Sequence, residues 1–407
     1  MKILHVTPHL GGGVGKAHVA LSGSLPKEIE RTFVLLEAPR DPRYAHALEQ
    51  GGARIVVAQS LDQVAQLAGE ADIVQFEFWN HPRLFECLAC CRFPPMRSLF
   101  WSHISGIHPP LIPPGLIEET MRFVFTTEAS REAASISRLP AQQRRKLAVV
   151  NSGFGFAARG PRPVREGGPS IAYLGTVDFV KMHAGFFEAI DGLAGDDIRV
   201  AVWGAPSDAA VTSAKAMRHP ERVTLHGQTS DPQAALAAAD IFFYPLRSDH
   251  FGTAENVLVE AMSLGLVPVV LDNAAELAIV RDGETGFVAH SIVECTSLLQ
   301  MLLVSPDLRA AIARNAVAFV AQERTPQRSA QDFMILWLGL LAQGPRLCDF
   351  RAALGDSPAD WFLATQRLPG TAWSASGRND GRQPSKGTLA HFESVFAGDA
   401  SLAQLRA

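Results

Sequence analysis

The sequence predicts an α/β protein of two Rossmann-like domains, each a parallel sheet covered by helices, facing a cleft. Three observations lead to this prediction. Short apolar segments alternate with helical patterns of about ten to fifteen residues, as expected for parallel sheets wrapped on both faces. The alternation is interrupted once by a segment rich in Gly, Pro and Arg. The length of 407 residues is too great for one ordinary domain and suits two apolar cores.

Composition and charge exclude several classes of protein. Lys and Arg total 37 against 41 Asp and Glu, a formal net charge of −4, so we expect no nucleic-acid partner. No run of about 18 uncharged apolar residues predicts a transmembrane span. The first residues begin directly as a strand, without the pattern of a secretory leader. The five cysteines lack zinc-finger spacing. We therefore expect a cytoplasmic protein.

The first domain is predicted over residues 1–155. Its first strand, at 2–7, leads through a turn containing Gly12, Gly13 and Gly15 into a helix that starts at Ala17. Glycines let the backbone approach a ligand closely, so this turn can contact a phosphate or a sugar, or it can be a tight turn only. Its spacing fits neither a P-loop nor a dinucleotide-binding motif. Further strands are predicted at 31–37, 54–57, 72–76, 98–101, 123–126 and 147–150.

A linker is predicted at 156–170, where Gly, Pro and Arg are frequent and no apolar period is visible. The second domain follows at 171–330. Its strands are predicted at 171–174, 199–203, 223–226, 241–244 and 267–271. A C-terminal extension at 346–407 contains a run rich in Gly, Ser and Asn, and both packing on the first domain and docking of a partner are open for it.

The segment from Arg247 to Gly286 is the strongest candidate for a binding site. A polar loop at 248–252 leads into a helix predicted at 254–264, which Thr253 can cap. Glu255 suits the positive end of this helix. The loop follows a strand and directs backbone N–H groups outward, which favours a phosphate-bearing ligand at the carboxyl edge of the sheet.

An ordered set of residues in this segment resembles the donor-site signature of the GT-B glycosyltransferases, specifically the retaining family 4. The set is Glu260-Ala261-Met262, Gly265, Pro268, Glu276 and Asp282-Gly283-Glu284-Thr285-Gly286. The resemblance implies an acceptor-side first domain, a donor-binding second domain and a helix at 331–345 that crosses back to the first domain. It also implies a retaining glycosyltransferase, resembling the hexosyltransferases, whose donor is a nucleotide-diphosphate sugar.

The resemblance also assigns roles to individual residues. Lys181 matches a lysine that holds the donor diphosphate, but Thr176 stands where the family has an arginine. Arg247 or another basic group must therefore replace that charge. His103, at the carboxyl end of a strand, matches a histidine beside the donor sugar, where it can donate a hydrogen bond to a hydroxyl or to the backbone.

Two carboxylates on the predicted donor helix have separate roles. The family places a glutamate at the position of Gly252, and Glu255 is the nearby acidic residue. Glu255 and Glu260 lie roughly 140° apart around a helix, so they cannot share one face. We assign Glu260 and Asn256 to the nucleotide ribose, and Glu255 or His250 to the sugar. The predicted donor-binding residues are Gly12, Gly13, Gly15, Lys181, Arg247, His250, Phe251, Gly252, Thr253, Ala254, Glu255, Asn256 and Glu260, and the predicted catalytic residues are His103, Glu255 and Lys181.

The absence of an Asp-x-Asp motif predicts transfer without a metal ion or other cofactor. Lys181 and backbone amides would then stabilise the leaving diphosphate, which itself accepts the acceptor's proton. Two alternatives stay open. One is a GT-B enzyme that epimerises a sugar nucleotide. The other is a non-catalytic nucleotide-sugar-binding or scaffold protein, which Thr176 and Gly252 favour. The acceptor is open among a sugar, a glycan, a protein and a small molecule.

Overall fold

The computed structural model describes residues 1–39, 41–153, 169–250, 252, 256–373 and 387–406. The chain forms two compact units, the first containing 1–153 and 326–406 and the second containing 169–250 and 256–325. The predicted linker at 156–170 lies outside the described residues except for its last two positions. Four predicted donor-site residues also lie outside them: Phe251, Thr253, Ala254 and Glu255.

The first unit contains a seven-stranded sheet in which every neighbouring pair is parallel. The strand order is β3-β2-β1-β4-β5-β6-β7. The strands are β1 (Lys2–Thr7), β2 (Glu30–Leu35), β3 (Arg54–Val57), β4 (Ile73–Phe78), β5 (Ser98–Ser102), β6 (Arg122–Phe125) and β7 (Leu147–Val149). All of the strands predicted for this domain are confirmed, with ends shifted by no more than one or two residues.

The second unit contains a six-stranded parallel sheet in the order β10-β9-β8-β11-β12-β13. The strands are β8 (Ser170–Leu174), β9 (Arg199–Trp203), β10 (Val223–Gly227), β11 (Ile241–Tyr244), β12 (Val267–Leu271) and β13 (Phe287–Ala289). The sequence did not predict β13, because three residues after a turn are too few to show a period. The two-sheet α/β fold class is confirmed.

Helices cover the sheets, and most connect one strand to the next. In the first unit they are α1 (Gly12–Ser22), α2 (Arg43–Gln50), α3 (Leu61–Glu70), α4 (Pro82–Cys90), α5 (Pro114–Glu119), α6 (Ala134–Ser137) and α7 (Ala141–Arg144). In the second unit they are α8 (Phe186–Asp191), α9 (Asp208–Lys215), α10 (Pro232–Ala237), α11 (Asn256–Ser263), α12 (Ala274–Leu277), α13 (Ile292–Val304) and α14 (Pro306–Glu323). The C-terminal helices are α15 (Pro326–Leu341), α16 (Phe350–Leu354), α17 (Pro358–Gln366), α18 (Leu389–Val395) and α19 (Ala400–Ala403), and short 3₁₀ turns span Glu128–Glu132, Pro220–Arg222 and Gln404–Arg406.

The C-terminal part of the chain packs on the first unit. Helix α15 begins at Pro326 and ends at Leu341, so the predicted bounds of 331–345 are wrong at both ends. A proline at the first helical position explains the earlier start, because its missing N–H would be unpaired there anyway. Phe350 in α16 packs edge-on against Phe76 and Phe100 of the first sheet. The described part of the extension is therefore built into the first core, and of the two options left open this is the one observed.

Strand β4 carries two polar residues into a buried environment. All six of its residues are buried, although the sequence IVQFEF includes Gln75 and Glu77. A buried carboxylate must be paired or hydrogen-bonded to be tolerated. Glu77 therefore marks a polar centre inside the first unit. Among the helices of the described residues, none is long and apolar enough to cross a bilayer.

Candidate active site

The order of the strands locates one crevice in each unit. Successive strands are added on one side of β1 and then, from β4 onward, on its other side, and the second sheet changes sides in the same way between β8 and β11. Ligands of open α/β sheets bind outside the carboxyl ends of strands at such switch points. Two predicted site residues lie in the loops after these strands: Lys181 in the loop after β8 and Arg247 in the loop after β11.

Lys181 lies at the crevice of the second unit because two loops pair there. Arg247 N donates to Lys181 O over 2.9 Å, and His183 N donates to Pro245 O over 2.9 Å. The Lys181 ammonium donates to the hydroxyl of Tyr244, the last residue of β11, over 3.1 Å. The ammonium of Lys181 therefore lies at the carboxyl end of β11.

Arg247 is engaged by its own loop. Its Nε and Nη2 donate to the two carboxylate oxygens of Asp249 over 2.8 and 2.9 Å, and its Nη1 donates to Phe179 O over 3.2 Å. Such a two-pronged pair is among the stronger ion pairs and compensates the guanidinium charge. The proposed replacement of the arginine missing at Thr176 by Arg247 therefore requires this pair to open.

His250 and Glu276 form a buried pair in the second unit. The distances from His250 Nε2 to the two carboxylate oxygens of Glu276 are 3.1 and 3.3 Å, and both side chains are almost fully buried. Glu276 lies in α12, directly after β12, and Asn273 of the same loop donates to Leu246 O over 3.2 Å. Glu276 was part of the family signature but was not predicted as a site residue. The structure brings it to the predicted residue His250.

Glu260 is a buried carboxylate in α11. Only 3% of it is exposed, so it is not a solvated residue on a helix surface. Asn256, the first residue of α11, is half-buried. Gly265 ends the segment with a φ of +74°, a left-handed conformation that favours glycine. Helix α11 begins at Asn256 in the described chain, so the part predicted from 254 cannot be compared.

The glycines predicted to form a turn in the first unit lie at the start of a helix. Helix α1 begins at Gly12, so Gly12, Gly13 and Gly15 lie in its first turns, which corrects the predicted start at Ala17. Gly12 and Gly13 are exposed, whereas Gly15 is buried. A Cβ on Gly15 would lie 1.9 Å from the carbonyl oxygen of Leu10. Close packing of helix and turn therefore explains Gly15 without a ligand.

His103 follows β5 and contacts the buried carboxylate of β4. Its Nε2 lies 2.8 Å from Glu77 Oε2, and its side chain is 9% exposed while that of Glu77 is fully buried. The second oxygen of Glu77 receives hydrogen bonds from His5 Nδ1 over 3.0 Å and from Gln75 Nε2 over 2.9 Å. Glu77 was not predicted as a site residue, and its only signal was a carboxylate within an apolar strand.

Two histidines connect Glu77 to the buried residue Arg31. Arg31 Nε donates to His5 Nε2 over 3.1 Å, and its Nη2 lies 2.6 Å from His18 Nδ1. His18 Nε2 lies 3.0 Å from Glu77 Oε1 without the geometry of a hydrogen bond. The side chains of His5, His18 and Glu77 have no exposed surface. The two rings thus separate a buried cation from a buried anion. We call these residues, with Gln75 and His103, the Glu77 network.

Burial and charge shift the pKa of the network's members in different directions. Burial, followed by the charge of Arg31, lowers the pKa of His5 to about 3. Burial likewise lowers the pKa of His18. For Glu77, burial acts to raise the pKa, but the contacts with His18, His103 and His5 outweigh it and hold the pKa well below its ordinary value. The rings of His5 and His18 are therefore neutral and the carboxylate is ionised near pH 7.

Two groups in the described residues have side-chain atoms close enough to surround a metal ion. The first is His5, His18 and Glu77. An arginine offers only donors, so the nitrogens facing Arg31 must be acceptors and the nitrogens facing Glu77 must carry the protons. A metal ion needs a lone pair on those nitrogens. This group does not fit a metal ion while Arg31 is in place.

The second group is His9, Glu37 and His81. The N–H groups of Gly11 and Arg83 donate to Nδ1 of His9 and His81 over 3.0 and 3.2 Å. Each neutral ring then carries its proton on Nε2, facing Glu37. These histidines serve as acceptors at the starts of α1 and α4, and their tautomers do not fit a metal ion either.

Comparisons with known proteins bear on the fold of the chain and on the family of its second unit. Residues 157–318 match the family described as glycosyl transferases group 1, a span that contains Lys181, His250, Glu260 and Glu276. No curated protein matched the chain significantly in sequence.

Three solved structures illustrate the likeness in fold. HepE from Anabaena, in complex with UDP and glucose, has a TM-score of 0.65 and 16% identity, covering 83% of this chain and 100% of its own. A glycosyltransferase from Rickettsia africae has a TM-score of 0.67 and 13% identity, with coverages of 84% and 98%. Sucrose-phosphate synthase from Thermosynechococcus elongatus has a TM-score of 0.60 and 14% identity, with coverages of 84% and 99%. The resemblance to the GT-B glycosyltransferases is thereby confirmed, and the narrower assignment to family 4 is compatible with it.

Proposed function

We propose that the protein transfers a sugar from a nucleotide-diphosphate sugar to a hydroxyl group of an acceptor, with retention of configuration and without a divalent metal ion. The observation that carries this proposal is the match of residues 157–318 to glycosyl transferases group 1. The buried carboxylate of Glu260 and the ammonium of Lys181, both within that span, support it. HepE was solved with UDP and glucose, which makes UDP-glucose the first donor to test.

Lys181 is the cation that we assign to the donor diphosphate. When a nucleotide sugar reacts, the nucleoside diphosphate leaves and gains negative charge. Hydrogen-bond donors and cations that are already fixed in place stabilise this charge effectively. Lys181 is held by backbone pairing between two loops and by the Tyr244 hydroxyl. The N–H groups at the start of α11 would add to its effect.

We assign Glu260 to the ribose of the nucleotide, with Asn256 one helical turn earlier. Two hydroxyls of a ribose can donate to one carboxylate, and a buried site makes such hydrogen bonds strong. His250 and Glu276 form a buried polar pair of the same unit, and we assign this pair to the donor sugar. The leaving phosphate is the group that we expect to accept the acceptor's proton, and front-face transfer of this kind retains the anomeric configuration.

A donor screen followed by product analysis tests this proposal. Thermal unfolding is measured with UDP-, GDP-, ADP- and CMP-sugars, and the sugar that stabilises the protein is then incubated with candidate acceptors. We expect one nucleotide series to raise the midpoint, a glycoside product with the donor's anomeric configuration, and unchanged activity in excess chelator. An inverted product would refute retention, and loss of activity in chelator would refute transfer without a metal ion.

A non-catalytic nucleotide-sugar-binding protein is the second candidate, and one observation favours it. Arg247 forms a bidentate ion pair with Asp249, and Thr176 supplies no charge. Lys181 would therefore bind the diphosphate without the second cation that the family is expected to have. This candidate predicts donor binding by calorimetry with no turnover against any acceptor. Release of the nucleoside diphosphate in step with product formation would exclude it.

A further inference from the structure

A second cluster of side chains lies at the carboxyl edge of the first sheet, apart from the Glu77 network. His9 follows β1, Glu37 follows β2 and Trp79 follows β4, and these three strands are neighbours in the sheet. We call these residues, with His81 and His391, the edge cluster. We propose that the edge cluster binds a saccharide and that this saccharide is the acceptor. The role as acceptor rests on the proposed function, whereas the binding itself does not.

The side chains of the edge cluster contact one another. The ring centroid of Trp79 lies 4.8 Å from that of His9 and 4.7 Å from that of His81. The backbone holds Glu37 beside them, because Glu37 N donates to Pro8 O over 3.0 Å. Glu37 Oε1 lies 3.5 Å from His81 Nε2 and 3.9 Å from His9 Nε2. The side chains of His9 and Glu37 are 26% and 29% exposed, so a ligand can reach both.

The C-terminal extension supplies the fifth residue of the edge cluster. Gly387 packs on Asn80, whose Nδ2 donates to Gly387 O over 3.4 Å. A Cβ on Gly387 would clash with the Asn80 side chain, so this close approach requires glycine. Helix α18 follows and brings the ring centroid of His391 to 4.7 Å from that of His81. The extension therefore contacts the edge cluster as well as the first core.

Each histidine of the edge cluster has its Nδ1 held by the backbone. The N–H groups of Gly11, Arg83 and Gly387 donate to Nδ1 of His9, His81 and His391 over 3.0, 3.2 and 3.0 Å. A backbone N–H is a donor only, so Nδ1 of each neutral ring accepts and Nε2 carries the proton. An ionised carboxylate offers acceptors only. The edge cluster thus combines several N–H donors with one carboxylate and one indole ring.

A sugar ring matches this combination of groups. A sugar hydroxyl both donates and accepts, so neighbouring hydroxyls can donate to the Glu37 carboxylate and accept from an imidazole N–H. The C–H face of the sugar can pack on the ring of Trp79. The carboxylate repels a phosphate, and an ammonium ion has no acceptor to offer the imidazole N–H groups. A saccharide is therefore the class of ligand that uses both kinds of group.

Two polar atoms beside the edge cluster have no partner in the part of the chain that the structure describes. They are Nε1 of Trp79 and Oδ1 of Asn80, and both are buried. Buried polar groups are normally paired, so each exception needs an explanation. Asn80 also has a φ of +64°, a left-handed conformation that is uncommon for residues other than glycine. Strained residues of this kind are frequent at binding sites.

Saturation-transfer NMR with the full chain tests the binding. The probes are glucose, galactose, N-acetylglucosamine, lactose and maltose, each at about 10 mM, which nearly fills a site of millimolar Kd. We expect transfer to the ring protons of at least one saccharide and none to an Ala-Ser-Ala tripeptide. No transfer to any saccharide, or transfer to the tripeptide alone, would overturn the proposal.

Variants of the edge cluster show whether the bound saccharide uses it. Glu37→Gln should weaken binding by about tenfold, because a neutral amide is a weaker acceptor than a carboxylate. Glu86→Gln, which changes a side chain of the same unit that is 33% exposed, should bind as the native protein does. Native affinity in Glu37→Gln would overturn the proposal.

A tryptophan pair provides a second comparison. Trp79→Ala removes the ring on which the sugar packs and should abolish detectable binding. Trp373→Ala removes another half-buried tryptophan, which packs on Phe362 in the extension, and should not. Thermal unfolding shows whether each variant is folded, and Glu37→Gln decides the question if Trp79→Ala is not. Equal loss of affinity in the two folded tryptophan variants would overturn the role of Trp79.

Histidine side-chain NMR tests where the saccharide binds. Its addition should shift the ring resonances of His9 and His391 and leave those of His46, an exposed histidine of the same unit, unchanged. Resonances of His9 or of His391 that do not shift would overturn the assignment of the site.

The outcomes separate this inference from the proposed function, because saccharide binding needs no donor. A saccharide that binds through Glu37 without turnover with any donor would refute the proposed function, and with it the acceptor role, while the binding site stands. Turnover on an acceptor other than a saccharide, unaffected by Glu37→Gln, would leave the proposed function in place and overturn the inference.

Discussion

Acidification from about pH 7 to about pH 5 should destabilise the first unit through its buried neutral histidines. Burial and the charge of Arg31 lower the pKa of His5 to about 3 in the folded state, against about 6.5 in the unfolded chain. A base whose pKa is lowered on folding contributes stability above the unfolded value, and this stability is lost as the pH falls toward the folded value. His18, whose pKa burial also lowers, acts in the same direction.

The magnitude follows from the two pKa values of His5. Between pH 7 and pH 5 the unfolded ring gains its proton and the folded ring does not, which costs about 2 kcal/mol of unfolding free energy for this residue. His18 adds a further loss of the same sign. Glu77 does not contribute in this interval, because its lowered pKa acts only below the ordinary range of a carboxyl group.

Chemical unfolding followed by tryptophan fluorescence measures this effect. All tryptophans except Trp203 lie in the first unit, so Trp203→Phe makes the signal specific to it. In this background, the unfolding free energy of His5→Gln should depend less on pH, by the uptake of about one proton on unfolding. The variant His46→Gln, which removes an exposed histidine of the same unit, should keep the native pH dependence. An unfolding free energy that changes by less than about 0.5 kcal/mol between the two pH values would refute the neutral, buried state of these rings.

Three further predictions concern packing and catalysis. Trp337→Phe should lower the unfolding free energy of the first unit by about 1–3 kcal/mol, because Gln75 Oε1 loses its buried donor; an unchanged value would refute that role. Gly15→Ala should destabilise the protein strongly because its Cβ would meet the Leu10 carbonyl, whereas Gly23→Ala, which meets nothing within 4 Å, should not, and thermal melts that are equal for the two would contradict the packing argument. Turnover should be unchanged by excess chelator, and a requirement for Mg²⁺ or Mn²⁺ in the kinetic assay would contradict a diphosphate held by protein groups alone.

The resemblance to the glycosyltransferases could be recognised because the signature that carries it is local in sequence. Glu260, Gly265 and Glu276 lie within a short stretch, and the family pattern fixes their spacing. Most strands could be predicted for the same reason, since each is a continuous apolar segment. The missed strand, β13, has only three residues and too little pattern of its own.

The Glu77 network could not be predicted, because its members come from separate elements. His5 lies in β1, His18 in α1 and Arg31 in β2, and only the folded sheet brings them to Glu77 in β4. Alternation along β4 places Gln75 and Glu77 on one face, which for a half-exposed strand would be the solvent face. Helix α15 covers this face instead, through Trp337. A contact between Gln75 and Trp337, 262 residues apart, cannot be predicted from a local sequence pattern.

The most direct test of the proposed donor site is a calorimetric titration of a nucleotide-diphosphate sugar into three proteins: the native chain, Lys181→Ala and Lys215→Ala. Lys181 meets the Tyr244 hydroxyl at the end of β11, whereas Lys215 is an exposed lysine of α9 in the same unit. The variant Lys181→Ala removes the ammonium that would contact the diphosphate, so its affinity for the donor should fall by about tenfold to a hundredfold. The variant Lys215→Ala should bind the donor as the native protein does. Native affinity in Lys181→Ala would contradict the assignment of this unit to the donor diphosphate.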